Sequence, residues 1–265
     1  MWGRRFMSNI DSNKQFGTYT MGQNHVLEGI WLKYKSNPEG TWVTKINQAV
    51  RLHEYLKKLQ PKHILELGTG IGCSTEIMAF TCPNTSIYTV EQNQKCIDAA
   101  KILIPEKLQE QIYFKLAEPT VLKPLYEVNP FIHFMAYKTP YDWQDYDFIY
   151  VDGPGPFRSW RIHPETKQRW ETLVDLPCGD VMLILHRINE GTLIYFDKRH
   201  LTTHLYKRHL MHYLELVEET PEHTVFRRND RPLKPEFQEF MNSDRNLGIL
   251  KDNRYFTTKL DESNQ

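Results

Sequence analysis

His63-Ile64-Leu65-Glu66-Leu67-Gly68-Thr69-Gly70-Ile71-Gly72-Cys73-Ser74 decides how the chain is read. Its first five residues have the near-continuous apolar character of a strand buried on both faces. Three alternating glycines then turn the chain, and a helix follows through about Phe80. Glycines at such a turn let the backbone bend sharply and let a ligand approach without a Cβ in the way. Amides at the start of the following helix suit a carboxylate or phosphate. The dinucleotide fingerprint spaces its glycines as GxGxxG. Here the spacing is GxGxG, and Cys73 stands where that fingerprint needs its third glycine.

Outward from this turn, short apolar runs alternate with amphipathic ones. Residues 86–91 read as a second strand, followed by a helix with Ile97, Ala100, Lys101 and Ile104 at helical spacing and closed by Pro105. Strands are expected at 111–117, 146–152 and 192–197. Such alternation predicts an α/β fold, with a parallel sheet covered by helices on both faces. Runs at 214–220 and 223–228 are parted only by Pro221-Glu222, too short for a helical crossover, so they should close the sheet as an antiparallel hairpin. Upstream, 46–59 reads as an amphipathic helix carrying Ile46, Val50, Leu52, Leu56 and Leu59 on one broad face. The expected organisation is one domain over 46–229. Residues 1–45 form an extension over the active-site edge, and 230–265 a charged tail.

Of the 265 residues, 40% are hydrophobic and 25% charged, which supplies a sizeable core and excludes collagen-like and wholly disordered classes. Thirty-three basic residues balance thirty-three acidic ones, so no broad attraction to nucleic acid or anionic membrane is indicated. Val181-Met182-Leu183-Ile184-Leu185, one of the longest apolar runs, falls far short of the roughly 18–20 residues of a membrane helix. Cys73, Cys82, Cys96 and Cys178 form no CxxC pair, and read as reduced structural thiols of a cytoplasmic protein.

With its acidic residue, GxGxG spacing, element order and terminal hairpin, the chain resembles the class I S-adenosylmethionine-dependent methyltransferases from about Ile46 to Arg228. ILELGTGIGCST is most similar to their O-methyltransferase branch. The resemblance implies a Rossmann-like methyltransferase fold with a seven-stranded sheet in the order 3-2-1-4-5-7-6, and S-adenosylmethionine as cofactor. It implies that Glu66 sits near the methionine amino group, directly or through water. Gly68, Thr69, Gly70 and Gly72 would line the methionine half, and Ser74 would bind its carboxylate. Glu91 and Gln92, ending the second strand, would meet the ribose, and Ala117 and Glu118 the adenine. Two neighbouring hydroxyls can both donate to one carboxylate, which suits Glu91 to that place.

Methyl transfer from a sulfonium is an in-line displacement, needing a held acceptor and a group to remove its proton. In open parallel sheets the chemistry belongs at the carboxyl ends of the strands, where Asp152 and Asp197 lie. One reading has both bind a divalent cation such as Mg²⁺, as metal-dependent relatives do at these strand ends. Those relatives commonly follow the second Asp with Asp or Asn, where this chain has Lys198. A second reading is metal-free, with Asp152 or His200 as base; in a third the aspartates only cap turns. His200 and His204 share the i, i+4 spacing of paired ligands, but no HExxH accompanies them, and the packing stripe Tyr206, Leu210 and Tyr213 reads them instead as the solvated face of an amphipathic helix. The loop Gly153-Pro154-Gly155-Pro156-Phe157-Arg158-Ser159-Trp160-Arg161 reads as an acceptor gate, with Phe157 and Trp160 as stacking surfaces and Arg158 or Arg161 as anion ligands; the basic group Lys198, Arg199, Lys207 and Arg208 offers a second place for an anionic substrate, a phosphate or uronate. The aromatic segment Phe131 to Trp143 would form an opposite wall. The acceptor is then a small polar molecule or glycan. Three rivals stand beside it: a nucleic-acid methyltransferase of the same fold, a non-catalytic S-adenosylmethionine-binding subunit, and a nicotinamide-dependent dehydrogenase.

Overall fold

The computed structural model describes residues 22, 24–38, 40, 43–122, 133–138, 145–155 and 176–235, and the backbone alone of 157–162 and 169–174. Two helices open it, α1 (His25–Lys35) and α2 (Ile46–Leu59). The main sheet contains β1 (His63–Leu67), β2 (Ser86–Glu91), β3 (Ile112–Leu116), β6 (Phe148–Val151), β9 (Leu193–Asp197), β10 (Leu214–Glu219) and β11 (His223–Arg228). Between these lie α3 (Cys73–Thr81), α4 (Gln94–Leu103), the single turn α5 (Glu106–Gln109), α6 (Asp180–Ile184) and α7 (His200–His209). Two small ribbons, β4 (Pro119–Val121) with β5 (Met135–Tyr137) and β7 (Phe157–Ile162) with β8 (Arg169–Val174), pair antiparallel outside the main sheet.

The sheet order is β10-β11-β9-β6-β1-β2-β3. Counting only these strands along the chain, that is 3-2-1-4-5-7-6, the methyltransferase-type order expected from the sequence. Pairings β1–β2, β2–β3, β1–β6 and β6–β9 are parallel, while β11 runs antiparallel to both β9 and β10. The period-two alternation of strand side chains divides the core in two. Leu65, Leu67, Val90, Ile149, Val151, Ile194 and Phe196 face α6 and α7. Ile64, Ile87, Phe148, Tyr150 and Tyr195 face α1 to α4. Glu66 belongs to the second face by the same alternation, in register with Thr89 on one side and Tyr150 on the other.

The helix predicted over 46–59 has those bounds. Gln48 accepts from the Lys45 amide at its start (3.0 Å), and Gln60 closes it in a left-handed C-cap with Pro61 beyond. The division drawn at residue 45 does not separate folding units. Leu27 and Tyr34 of α1 are fully buried in the same core as α2 and α3, and Tyr34 and Lys33 both bond Glu76 of α3. Residues 43–45 do reach the carboxyl edge of the sheet, where Thr44 meets Asp197. Residues 1–21 and 236–265 lie outside the described residues. Among the described residues no helix is long and apolar enough to cross a membrane. All four cysteines are free thiols, with Cys73, Cys82 and Cys178 buried.

Candidate active site

Parallel order reverses at β1, whose neighbours β2 and β6 leave in opposite directions, so a crevice opens beyond its carboxyl end. The glycine turn occupies it. Gly68 has φ +100, and a Cβ there would lie 2.8 Å from the Gly153 nitrogen and 2.9 Å from the Asp152 carbonyl carbon. The turns after β1 and β6 are therefore packed backbone on backbone. Gly72 abuts Ala100 of α4 and Ile104, which caps that helix. Gly70 differs: it is exposed, and a Cβ on it would meet nothing within 4 Å. The open side of the turn is at Gly70.

Beneath the turn, Glu66 is wholly buried and accepts hydroxyl hydrogen bonds from Ser74, Thr75 and Thr89, each at 2.6 Å. Burial pushes its carboxyl up to about 7 against the pull of those three bonds, and the Glu91 charge adds to the rise. Ser74 was expected to hold a ligand carboxylate; its hydroxyl is instead spent on Glu66. Thr69 is buried with its hydroxyl against that of Thr89.

Glu91 spans the crevice mouth. Its Oε2 accepts from Gly70 N–H at 2.8 Å, and Oε1 accepts from the amides of Gln92 (2.8 Å) and Asn93 (3.0 Å). A carboxylate offers about four lone-pair sites, so one remains on Oε2, beside the open glycine. Burial raises the Glu91 carboxyl as well. The Gln92 Oε1 is buried with no hydrogen-bond partner among the described residues, and its amide nitrogen lies 3.6 Å from where a Gly155 Cβ would be. Ala117 is buried and its amide donates to the Glu91 carbonyl (2.9 Å). The Glu118 side chain is exposed, with no hydrogen bond or ion pair among the described residues.

On the β6 side, Asp152 is partly exposed. Arg199 ties it down: its guanidinium donates to the carbonyls of Asp152 and Pro154 (3.1 Å for the latter) and lies 3.7 Å from the Asp152 Oδ1. Arg199 is thus a tether between the ends of β6 and β9, not the free anion ligand expected from the sequence. Burial and then the Asp197 charge push the Asp152 carboxyl up, with Arg199 opposing. Tyr137, which the sequence reading missed, also reaches this point. Its hydroxyl would lie 2.2 Å from a Cβ on Gly153, so the glycine is what admits it.

Asp197 is only 5% exposed and accepts three side-chain hydrogen bonds. Gln48 Nε2 donates to its Oδ1, and Tyr150 (3.2 Å) and Thr44 (3.4 Å) donate to Oδ2. Burial raises this carboxyl too. It fastens α2 to the end of β9 from a buried position, with three hydrogen bonds already accepted. The donor set therefore does not fit Mg²⁺: among the described residues no three His, Cys, Asp or Glu side chains converge to hold an ion. Asp197→Ala would leave an amide and two hydroxyls without their acceptor. A loss of about 2 kcal/mol is expected by urea denaturation, with any turnover indifferent to chelators.

His200 opens α7 with an exposed side chain that makes no hydrogen bond or ion pair among the described residues. His204 is exposed one turn on, while Thr202, Leu205 and Tyr206 face inward, so the amphipathic reading of the histidine pair holds. The stretch read as a gate loop is not a loop throughout. From Phe157 its backbone forms β7, paired with β8 in register Phe157↔Val174 through Ile162↔Arg169. Phe157, Arg158, Trp160 and Arg161 thus sit on a hairpin leaving the Asp152 turn; their side chains, and 131–132 and 139–143 of the opposite wall, lie outside the described residues.

No family model matches the chain. Among solved structures it is similar to an O-methyltransferase from Bacillus cereus in complex with SAH (12% identity, TM-score 0.46, covering 79% of this chain and 93% of that one). It is similar also to a methyltransferase from Geobacter sulfurreducens (10%, 0.49, 78% and 90%). A third is an O-methyltransferase from Streptomyces achromogenes in complex with SAM (12%, 0.44, 78% and 91%).

Proposed function

We propose that the protein is an S-adenosylmethionine-dependent methyltransferase acting on an oxygen of a small polar acceptor. The observation that carries this is the charge around the open glycine. Three carboxyl groups, Glu66, Glu91 and Asp152, surround a turn whose outer side is free at Gly70. A pyrophosphate brought there would meet carboxyl oxygens, with the Gly70 amide already spent on Glu91, which disfavours a dinucleotide. A ligand carrying an ammonium and a sulfonium meets its complement. Glu66 would face the amino group, the spare lone pair of Glu91 a ribose hydroxyl, and the unpartnered Gln92 Oε1 a further donor. When bound, S-adenosylmethionine supplies an electrophilic methyl group.

The chain's own part in the reaction is to orient and to take a proton. Asp152 is held by Arg199 at the rim of the crevice, and its raised pKa makes the ionised form a better base. It would accept the proton that an acceptor hydroxyl gives up as its oxygen takes the methyl carbon and the carbon–sulfur bond breaks to leave a thioether. Asp197 acts only through Tyr150 and α2, as a positioning group. The β7–β8 hairpin, which follows Asp152 directly, flanks the acceptor side.

Calorimetry with S-adenosylmethionine, S-adenosylhomocysteine and NAD tests the reading. The first two should bind and NAD should not. Glu91→Ala should weaken both by at least tenfold, because it removes the ribose acceptor and releases the Gly70 amide. Binding of NAD alone, or of none of the three, contradicts it. Binding without turnover on any hydroxylated acceptor would favour the non-catalytic alternative.

A further inference from the structure

Two described residues other than glycine hold a positive φ, Gln60 at 45° and Lys198 at 47°. For Gln60 the reason is local. It is the C-cap of α2, where the left-handed conformation is the usual way to end a helix, and its amide returns hydrogen bonds to the Leu56 and Lys57 carbonyls. Lys198 ends no helix. It joins β9 to α7, its amide donating to the Glu222 carbonyl (3.1 Å) and its carbonyl accepting from His200 N–H (2.9 Å). This bend needs a left-handed residue, which glycine or asparagine provides with less strain than lysine. The Lys198 side chain offsets nothing locally: it is exposed, with no hydrogen bond or ion pair among the described residues.

Its neighbours make the contrast sharper. Asp197 is locked by Gln48, Tyr150 and Thr44, and Arg199 is spent on the turn after β6. Lys198 thus brings an uncommitted ammonium to the same edge, and its charge is felt at both Asp152 and Asp197. A strained backbone position at a strand's carboxyl end, filled by a residue whose only distinguishing asset is charge, is the pattern expected of a ligand contact.

We propose that Lys198 is the acceptor-binding cation of the crevice, taking an anionic oxygen of the acceptor, a carboxylate or a phosphate, and so setting the reacting hydroxyl beside Asp152. This rests on the methyltransferase reading of the site and adds to it the charge class of the acceptor.

The test uses the whole chain saturated with S-adenosylhomocysteine, titrated by calorimetry with benzoate, phenyl phosphate and the neutral benzamide. One of the two anions should bind at least tenfold more tightly than benzamide, and which one does so identifies the acid. Lys198→Asn should abolish that preference, leave S-adenosylhomocysteine affinity within about twofold, and raise Tm by a few degrees as the strain is relieved. Lys198→Gln should abolish the preference with Tm unchanged, which separates charge from backbone. Equal binding of the anions and benzamide, an unaltered preference in both variants, or a lower Tm in Lys198→Asn would overturn the proposal. Failure of the wild type to bind S-adenosylhomocysteine would instead defeat the methyltransferase reading. The anion preference, read on the unliganded chain, would still decide the role of Lys198.

Discussion

Gly68→Ala is expected to destabilise the fold by about 4 kcal/mol, whereas Gly70→Ala, two residues away, costs about 1 kcal/mol. At both positions a methyl group enters a backbone of positive φ, +100 for Gly68 and +52 for Gly70. The difference lies in what the methyl meets. At Gly68 it strikes main-chain atoms of Asp152 and Gly153 at 2.8–3.0 Å. Those atoms cannot yield, because the Asp152 amide is bonded to the Leu67 carbonyl (2.8 Å) and the Gly68 amide to that of Val90 (2.9 Å). The ends of β1, β2 and β6 would have to part together. At Gly70 the methyl enters open space, so only the backbone strain remains. Urea denaturation measures both. Lengthening the side chain at the open position should act on binding instead: Gly70→Arg is expected to weaken S-adenosylhomocysteine binding at least a hundredfold while the protein still folds. Equal stability loss at the two positions would mean the turn is not pressed against Gly153, and that the crevice lies elsewhere.

The parts of this architecture legible in the sequence are those encoded locally. Strands β1, β2, β6 and β9 are short runs buried on both faces, and element succession with the two-residue link at Pro221-Glu222 gives the parallel sheet and its closing hairpin; the strand order itself is implied by the resemblance to the methyltransferases. The run Val181 to Leu185 was visible but carried no usable period, since five apolar residues fit a strand or a buried helix turn alike; it forms α6 and its end. The first helix did carry a pattern, with Leu27, Ile30, Trp31 and Tyr34 on one side after an Asn24 cap, and was passed over inside the supposed extension. At the candidate site, the glycines, Glu66, Glu91 and Asp152 are legible as candidates because the turn and strand ends place them together. What local sequence could not show is which groups are already spent. Gln48 and Asp197 are 149 residues apart, and Arg199 reaches back 45 residues to Pro154. Contacts of that span decide that Asp197 is a fastening and Arg199 a tether, and they leave Lys198 free beside them.

Glu66 gives a dependence on pH whose size can be stated. Its carboxyl is pushed from 4.5 to about 7 by burial, so the folded chain binds its proton more tightly than the unfolded chain does. The sign follows directly: the associated stability is complete below about pH 4.5, is lost as pH rises towards 7, and changes no further above that. A shift of this size corresponds to about 3 kcal/mol. Glu91, Asp152 and Asp197 are raised as well, so the slope of the wild type alone mixes several groups. The difference between wild type and Glu66→Gln isolates one. The amide is neutral throughout, and the hydroxyls of Ser74, Thr75 and Thr89 can turn to satisfy it. Relative to wild type, Glu66→Gln should therefore gain about 3 kcal/mol between pH 5 and pH 8. Binding should run the other way. An ammonium held near Glu66 favours the ionised carboxylate, so wild-type affinity for S-adenosylhomocysteine should rise from pH 5.5 to 8 with proton release at the lower end. Glu66→Gln should bind weakly and without that rise. Parallel stability profiles for the two proteins would place the raised carboxyl elsewhere. A pH-dependent affinity surviving in Glu66→Gln would move the ammonium away from the floor of the glycine turn.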